Sequence, residues 1–131
     1  MASNALNTDQ QNAISEFRRV VVAPSMEKLV ILDFFAEWCG PCKQLTPVLK
    51  KVAAEYAERG VDLVMVDVDK QQFIAQQYQV RSMPTVYAIV NGKPIANMTN
   101  ARTPSQVTAL LEQLLEQNAI APSAGGVTVL D

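Results

Sequence analysis

The stretch that decides the fold runs from residue 29 to residue 42 and reads LVILDFFAEWCGPC. Its first seven residues are apolar except for Asp33, and an apolar run without polar alternation is typical of a central strand covered on both faces. We therefore predict a strand over residues 28–36. Gly40 and Pro41 follow, and they suit a turn and the first positions of a helix. The stretch thus predicts a buried strand that leads directly into a helix.

Helices and strands alternate on both sides of this stretch. Apolar periodicity predicts helices over residues 8–22, 40–59, 69–78 and 103–117, and strands over residues 61–67, 85–90 and 94–99. Asn91 and Gly92 predict a tight hairpin turn between the last two strands. Strands that alternate with helices form parallel sheets, and the hairpin adds antiparallel strands. The order predicts an α/β fold, a mixed central sheet with helices on both faces.

Three of the predicted helices carry a capping signal at their start. Thr8 and Gln11 have the spacing of a capping box, and so do Thr103 and Gln106. Asp69 suits the N-cap of the short helix before residue 78. These signals fix where we expect each helix to begin.

The chain divides into three parts by composition. Residues 1–7 are short and polar and resemble a disordered or tag-like N-terminus. Residues 8–117 carry the periodic pattern of one folded domain. Proline, serine and glycine over residues 122–126 end that pattern, so we predict a flexible tail or linker over residues 118–131.

Composition excludes several classes of function. The formal net charge is −2 and there is no basic patch, so we expect no nucleic-acid partner. No apolar run is long enough to predict a membrane span, and no secretory signal precedes the domain, so we expect a cytoplasmic protein. Two cysteines and no histidine are too few for a metal site of about four ligands. We predict neither a metal nor a cofactor.

The two cysteines, Cys39 and Cys42, lie at the junction between the strand and the helix. Unpaired N–H groups and the helix dipole favour an anion at Cys39, and only a thiolate attacks a disulfide. Cys42 lies one helical turn later, where its sulfur can attack a mixed disulfide on Cys39. A metal shared between two chains and a chance spacing of structural cysteines are the alternatives. The strand–turn–helix setting favours redox chemistry.

Asp33 is the polar residue of the predicted central strand. A buried carboxyl without a partner tends to stay protonated, so its pKa is raised. Near a dithiol, such a group could exchange a proton with Cys42. The alternative is a carboxyl that is hydrogen-bonded to backbone or water. Its position on the strand that leads to Cys39 favours the functional interpretation.

Taken together, these residues resemble the thioredoxin family. The resemblance covers residues 14–115. It rests on DFFAEWCGPCK at residues 33–43, on Pro47, on RSMPT at residues 81–85 and on Gly92. The pentapeptide WCGPC and the later MPT are specific in combination.

The resemblance implies the thioredoxin fold and a thiol–disulfide oxidoreductase that reduces protein disulfides. It implies that Cys39 is the exposed nucleophile, Cys42 the buried resolving thiol and Asp33 the general base. It implies a cis peptide before Pro84 and a backbone contact of Met83 with the substrate. The implied substrate-binding residues are Trp38, Gly40, Pro41, Met83, Pro84, Thr85 and Asn100. The expected partners are protein disulfides and a thioredoxin reductase, and the expected state is a monomer.

Two positions depart from the family pattern. Met65 stands where many thioredoxins place a lysine near the buried acid, and loss of that cation should make Asp33 harder to ionise. Asn100 stands where the substrate groove usually has a glycine, so its side chain could narrow or repolarise that groove.

A narrower resemblance leaves a second function open. Residues 44–49 and 82–87, with the linker-like tail, are similar to the thioredoxin domain of thioredoxin–tetratricopeptide chaperones. In that case the chain is a redox-competent chaperone module, which binds clients through its apolar surface and a mixed disulfide. We weight the reductase above this binding module.

Overall fold

A five-stranded sheet with the order β4-β3-β1-β2-β5 forms the centre of the computed structural model, which describes residues 5–131. The helices are α1 (Thr8–Phe17), α2 (Ala23–Ser25), α3 (Gly40–Glu55), α4 (Gln72–Gln77) and α5 (Pro104–Asn118). The strands are β1 (Leu29–Phe35), β2 (Val61–Asp67), β3 (Thr85–Val90), β4 (Lys93–Asn97) and β5 (Val127–Leu130). A π-helical turn, Arg18–Val22, joins α1 to α2, and a 3-10 turn, Ala57–Arg59, follows α3. The predicted α/β class and mixed sheet are confirmed.

Strand β1 is the middle strand of this sheet. It pairs in parallel with β2 along its whole length and antiparallel with β3. Six of its seven residues are buried, and Asp33 is one of them. Consecutive apolar residues are required here because both faces of the strand are covered by helices. The predicted central strand is therefore confirmed.

Two apolar cores lie on the two faces of the sheet. Helices α3 and α5 cover one face, where Leu45, Leu49 and Leu111 pack against Ile31 and Leu63. The other face is covered by α1, the π-helical turn and α4. Because side chains alternate along a strand, Asp33 lies on the α3 face together with Ile31. The sheet thus places the carboxyl beneath the helix that carries Cys42.

The helix caps agree with the sequence at one of the two predicted capping boxes. Thr103 accepts a hydrogen bond from the backbone N–H of Gln106, as predicted. The first box was predicted one residue too late, since Asn7 is the N-cap of α1 and accepts from the N–H of Gln10 at 2.8 Å. Asparagine and threonine both cap well, so the sequence pattern did not separate Asn7 from Thr8.

The C-terminal segment forms an edge strand, so the predicted flexible tail is wrong for residues 127–130. Strand β5 pairs in parallel with β2 from Val127 opposite Leu63 to Leu130 opposite Val66. Leu130 is buried in the core on the α4 face. Four residues are a weak strand signal, and the proline and glycine residues before them favoured a loop. In residues 5–131 no strand precedes β1, so this edge of the sheet comes from the C-terminal side of the domain.

A buried serine fixes the hairpin turn to the start of the fold. The Ser25 hydroxyl donates to the carbonyl of Val22 at 2.6 Å and accepts from the N–H of Gly92 at 2.8 Å. The Ser25 carbonyl accepts from the N–H of Asn91 at 2.8 Å. Asn91 and Gly92 both have positive φ, the geometry of the predicted tight turn. One serine therefore satisfies two backbone donors of the hairpin.

Replacing Ser25 with alanine should destabilise the protein by about 1–3 kcal/mol, because the Gly92 N–H would lose its buried acceptor. Urea unfolding measures the change. Ser105→Ala is the matched control, since Ser105 is exposed in the first turn of α5. Equal midpoints for the two variants would show that the Ser25 hydrogen bonds add nothing.

Candidate functional site

Cys39 and Cys42 form a disulfide at the start of α3. Cys39 is the N-cap residue of this helix, with extended backbone, and Cys42 lies in the first turn. The backbone N–H of Cys42 points at the Cys39 sulfur, with the nitrogen 3.1 Å away. An N-cap side chain normally accepts such a bond through oxygen, and here the sulfur occupies that place. The predicted position of Cys39 at the helix N-terminus is confirmed.

Both sulfur-bearing residues are covered in this oxidised form. Cys39 is 4% exposed and Cys42 is 3% exposed. The expectation that Cys39 is the exposed member of the pair therefore does not hold here. Trp38, by contrast, is 68% exposed, and Gly40 and Pro41 are exposed as well. Trp38, Gly40 and Pro41 therefore form part of the exposed surface beside the disulfide.

Asp67 and Asp69 make hydrogen bonds next to the disulfide. Neither aspartate was predicted to be a site residue. The indole N–H of Trp38 donates to Asp69 at 2.9 Å. Asp67 is buried and accepts from the backbone N–H of Asp69 at 2.9 Å. Asp69 was predicted to cap α4, but that helix begins at Gln72 without a side-chain cap. The signal was present, since Asp67 ends the strand beside β1 and Asp69 follows it in the next turn.

Asp33 lies in an apolar row across the sheet. It is 1% exposed, and its Oδ1 has no hydrogen-bond partner among the described residues. Its neighbours in register are Val86 on β3 and Met65 on β2. Desolvation by burial raises the pKa of Asp33 from 3.8 to about 7. A carboxyl with this pKa can both accept and release a proton near neutral pH.

Met83 and Pro84 form the end of the loop that leads into β3. The peptide bond between them is cis, as the family resemblance implied. Met83 packs against the small cluster formed by Ala36, Cys39 and Cys42. Pro84 is buried, whereas the resemblance placed it on a docking surface. The structure thus brings Met83 to the sulfurs.

A polar groove of 520 Å³ begins beside this loop. It contains two of the predicted substrate-binding residues, Thr85 and Asn100, together with Arg81, Ser82 and Thr99. The Thr85 hydroxyl donates to the Ser82 carbonyl at 2.6 Å. Asn100 is exposed, so its amide is free to face a bound chain.

A second groove, of 630 Å³, lies on the other side of Cys42. Its lining combines apolar side chains with two lysines: Phe35, Lys43, Lys50, Met65 and Val129.

Among residues 5–131 no group of three His, Cys, Asp or Glu side chains could hold a metal ion. No helix in this part of the chain is both long and apolar enough to cross a membrane.

This fold, with a dithiol pair at the start of a helix and a cis-proline loop beside it, defines a thiol–disulfide exchange protein. The thioredoxin family model matches residues 8–113. The chain belongs to the thioredoxin family. The match ends before β5, which is therefore an addition to the part that the family model describes.

Curated relatives and solved structures agree with this assignment. The chain is 34% identical to thioredoxin-1 of Saccharomyces cerevisiae over 110 residues, which are 84% of this chain and 97% of the relative. It is 38% identical to a thioredoxin of Haemophilus influenzae over 99 residues, 76% of this chain and 90% of the relative. The crystal structure of Malassezia sympodialis thioredoxin superposes with a TM-score of 0.65 at 37% identity, covering 76% of this chain and 83% of that one.

The germline-specific thioredoxin Deadhead of Drosophila melanogaster superposes over more of the chain. Its TM-score is 0.61 at 30% identity, and the match covers 87% of this chain and 99% of that one. The family and the disulfide pair together identify a thiol–disulfide oxidoreductase that acts on protein disulfides. They favour the enzyme over the client-binding module that the sequence left open.

Asp33→Asn should stabilise the oxidised protein at pH 8 by about 4 kcal/mol, the free energy that corresponds to the raised pKa. Below pH 3.8 the carboxyl is protonated in both the folded and the unfolded chain. Between 3.8 and about 7 the folded state binds more protons, so the stability of the parent protein falls as pH rises. The asparagine cannot ionise, and the gap should therefore widen across this range.

Urea unfolding of the two oxidised proteins at pH 4, 6 and 8 measures this gap. Glu116→Gln, which removes one carboxylate from the exposed face of α5, controls for the change in net charge. A gap of constant size from pH 4 to pH 8 would contradict the raised pKa of Asp33.

Proposed function

We propose that Cys39 attacks the substrate disulfide and that Cys42 resolves the mixed disulfide. The observation that carries this assignment is the N–H of Cys42, which points at the Cys39 sulfur at the N-terminus of a sixteen-residue helix. Hydrogen bonding and the helix dipole both favour the thiolate of Cys39 over its thiol. Among residues 5–131 no backbone N–H donates to the sulfur of Cys42, which lies in the first turn of α3.

The reaction proceeds in two exchanges. The Cys39 thiolate attacks one sulfur of the substrate disulfide, whose bond breaks and releases the other sulfur as a thiolate. Cys42 then loses its proton and attacks the Cys39 sulfur. The mixed disulfide breaks, the second substrate thiolate leaves, and the Cys39–Cys42 disulfide forms. The substrate gains two electrons, and the protein is left in the oxidised form described above.

Asp33 accepts the proton of Cys42 in the second exchange. Its carboxyl lies on the sheet face beneath α3, and desolvation raises its pKa to about 7. A base is most effective when its pKa lies near the working pH. The chain has no histidine, so a buried carboxyl is the group that this site offers for the task.

The substrate binds along the loop that contains the cis peptide. Met83 packs against the two cysteines, and its backbone precedes the first residue of β3. An extended segment bound here would lie against Trp38, Gly40 and Pro41 on one side. Its flanking residues would reach Thr85 and Asn100 in the polar groove. Asn100 can donate and accept hydrogen bonds there, which favours polar residues beside the substrate disulfide.

A thioredoxin reductase would return the protein to its dithiol form, and a reducing compartment such as the cytoplasm would suit this cycle. Both cysteines of the chain belong to the redox pair, so no further disulfide has to survive there. We expect the protein to act as a monomer, since the reaction needs one pair of sulfurs. A place beside a tetratricopeptide array stays a prediction from the sequence.

Cys39→Ser should abolish reduction of insulin disulfides, because the serine hydroxyl is not ionised at neutral pH and cannot replace the thiolate. Cys42→Ser should instead trap the insulin chain on Cys39 as a mixed disulfide. Turbidity with NADPH and a thioredoxin reductase measures turnover, and a non-reducing gel detects the trapped species. If Cys39→Ser kept the activity of the parent, the assignment of the nucleophile would be wrong.

Asp33→Asn should slow release of the mixed disulfide at pH 7 by about 10²-fold, since general-base catalysis contributes roughly 10²–10⁴-fold. Formation of the mixed disulfide should change little, because Cys39 has its own stabilised thiolate. Stopped-flow measurement of the Trp38 fluorescence during single turnover resolves the two steps. Equal slowing of both steps would remove Asp33 from the role of base.

A further inference from the structure

Four residues form a row across the sheet at the level of the buried carboxyl. In register, Val86 lies beside Asp33, Asp33 beside Met65, and Met65 beside Val129. Paired residues of neighbouring strands point to the same face of a sheet, so all four side chains lie on the α3 side. The row is apolar except for Asp33, and Val129 of the added strand β5 stands at its outer end.

Strand β5 decides whether Met65 is an interior or an edge residue. With β5 in place, Met65 is 4% exposed although its strand would otherwise border solvent. Val129 is 44% exposed and lines the groove beside Cys42 together with Met65. Neighbouring strands lie about 4.8 Å apart. Without β5, water would reach the outer edge of β2 at Met65, which is the neighbour of Asp33.

Backbone contacts before β5 hold it against β2. The Leu63 N–H donates to the Gly126 carbonyl at 2.9 Å, and the Gly125 N–H donates to the Ala57 carbonyl at 2.7 Å. Asp62 accepts from the Gly126 N–H at 2.8 Å. Leu130, on the opposite face from Val129, is 5% exposed and packs in the second core. The strand is therefore docked by both hydrogen bonds and burial.

We propose that β5 is a positioning element of the redox site, in which Val129 covers Met65 and so keeps water away from Asp33. Met65 stands where many thioredoxins have a lysine. The row therefore contains no cation that could offset the charge of the Asp33 carboxylate. The base strength of Asp33 then depends on how fully water is excluded from its carboxyl. Strand β5 provides the outermost apolar side chain of the row. This inference deepens the role proposed for Asp33, but its test is made on the carboxyl itself.

The charged groups around the row are exposed and do not shield Asp33 from water. On α3, Lys43 and Lys50 line the groove and are exposed, and so is Glu37 in the loop before it. Cys42, also on α3, is bonded to Cys39 in the oxidised form. The flanking strands contribute Val86 and Met65 at this level. Burial accounts for the raised pKa of Asp33, so access of water is the quantity that β5 controls.

The first experiment substitutes the exposed end of the row. Val129→Asn places a polar amide beside Met65, whereas Val127→Asn places the same amide beside Leu63, two residue pairs away on the same face. The two valines are 44% and 47% exposed, so the control is matched in chemistry, strand and burial. Carbon-13 NMR of the Asp33 carboxyl follows its titration in the oxidised protein. Both cysteines are then disulfide-bonded and do not titrate.

Val129→Asn should lower the pKa of Asp33 by about one unit or more, because hydration favours the charged form. Val127→Asn should change it little, and Val129→Ile should keep the parental value. If the two asparagine variants shift the pKa equally, or if neither shifts it, the proposal is wrong. Loss of reductase activity with an unchanged pKa would also count against it.

The second experiment displaces the whole strand. A Cβ added at Gly125 would overlap the backbone carbonyl of Val61, whereas a Cβ added at Gly126 would meet open space. Gly125→Ala should therefore release β5, and Gly126→Ala should leave it docked. Faster hydrogen exchange at the Leu63 amide, which donates to Gly126, marks release of the strand.

In the released form the pKa of Asp33 should fall toward its ordinary value, and resolution of the mixed disulfide at pH 7 should slow more than its formation. An unchanged pKa of Asp33 in a protein whose Leu63 amide exchanges freely would overturn the proposal. If Gly125→Ala keeps that amide protected, β5 has not been released. The pKa of Asp33 in Val129→Asn and in Val127→Asn then decides whether the proposal holds. Asp33→Asn kinetics test the role of the base separately, so the two proposals can fail independently.

Discussion

The structure depends on the burial of β1 on both faces, because that burial creates both the site and its chemistry. Helices on the two faces fix the strand in the middle of the sheet, and the chain leaves it at Phe35 to start α3 five residues later. Cys39 therefore meets the free N–H groups of a helix at a fixed place. The same burial removes water from Asp33 and raises its pKa. In the function we propose, this packing prepares one sulfur as a nucleophile and one carboxyl as a base.

In the function we propose, the two sides of the disulfide serve different tasks. On one side, the cis-proline loop and the polar groove with Asn100 offer backbone and amide groups to an extended chain. On the other side, the groove is lined by Met65, which is the neighbour of Asp33 in register, and by Val129. A substitution in the first groove should alter which disulfides are reduced. A substitution in the second should alter how readily the bound partner is released.

The fold and the central site could be predicted because their signals are local. An apolar run, a Cys-X-X-Cys spacing and the Thr103 cap each act within a few residues. Long-range relations escaped prediction. The four residues of β5 gain their stability from β2, more than sixty residues earlier, and carry little signal alone. The bond from Trp38 to Asp69 likewise joins two loops that only the sheet brings together.

Because β5 pairs with β2 but follows it by about sixty residues, the order of synthesis matters for this domain. A ribosome exposes β2 long before it exposes β5, so the outer edge of β2 stays unpaired while the rest of the domain folds. Unpaired edges invite contact with other chains. Pairing of residues 127–130 with β2 covers that edge and so protects it from such contact.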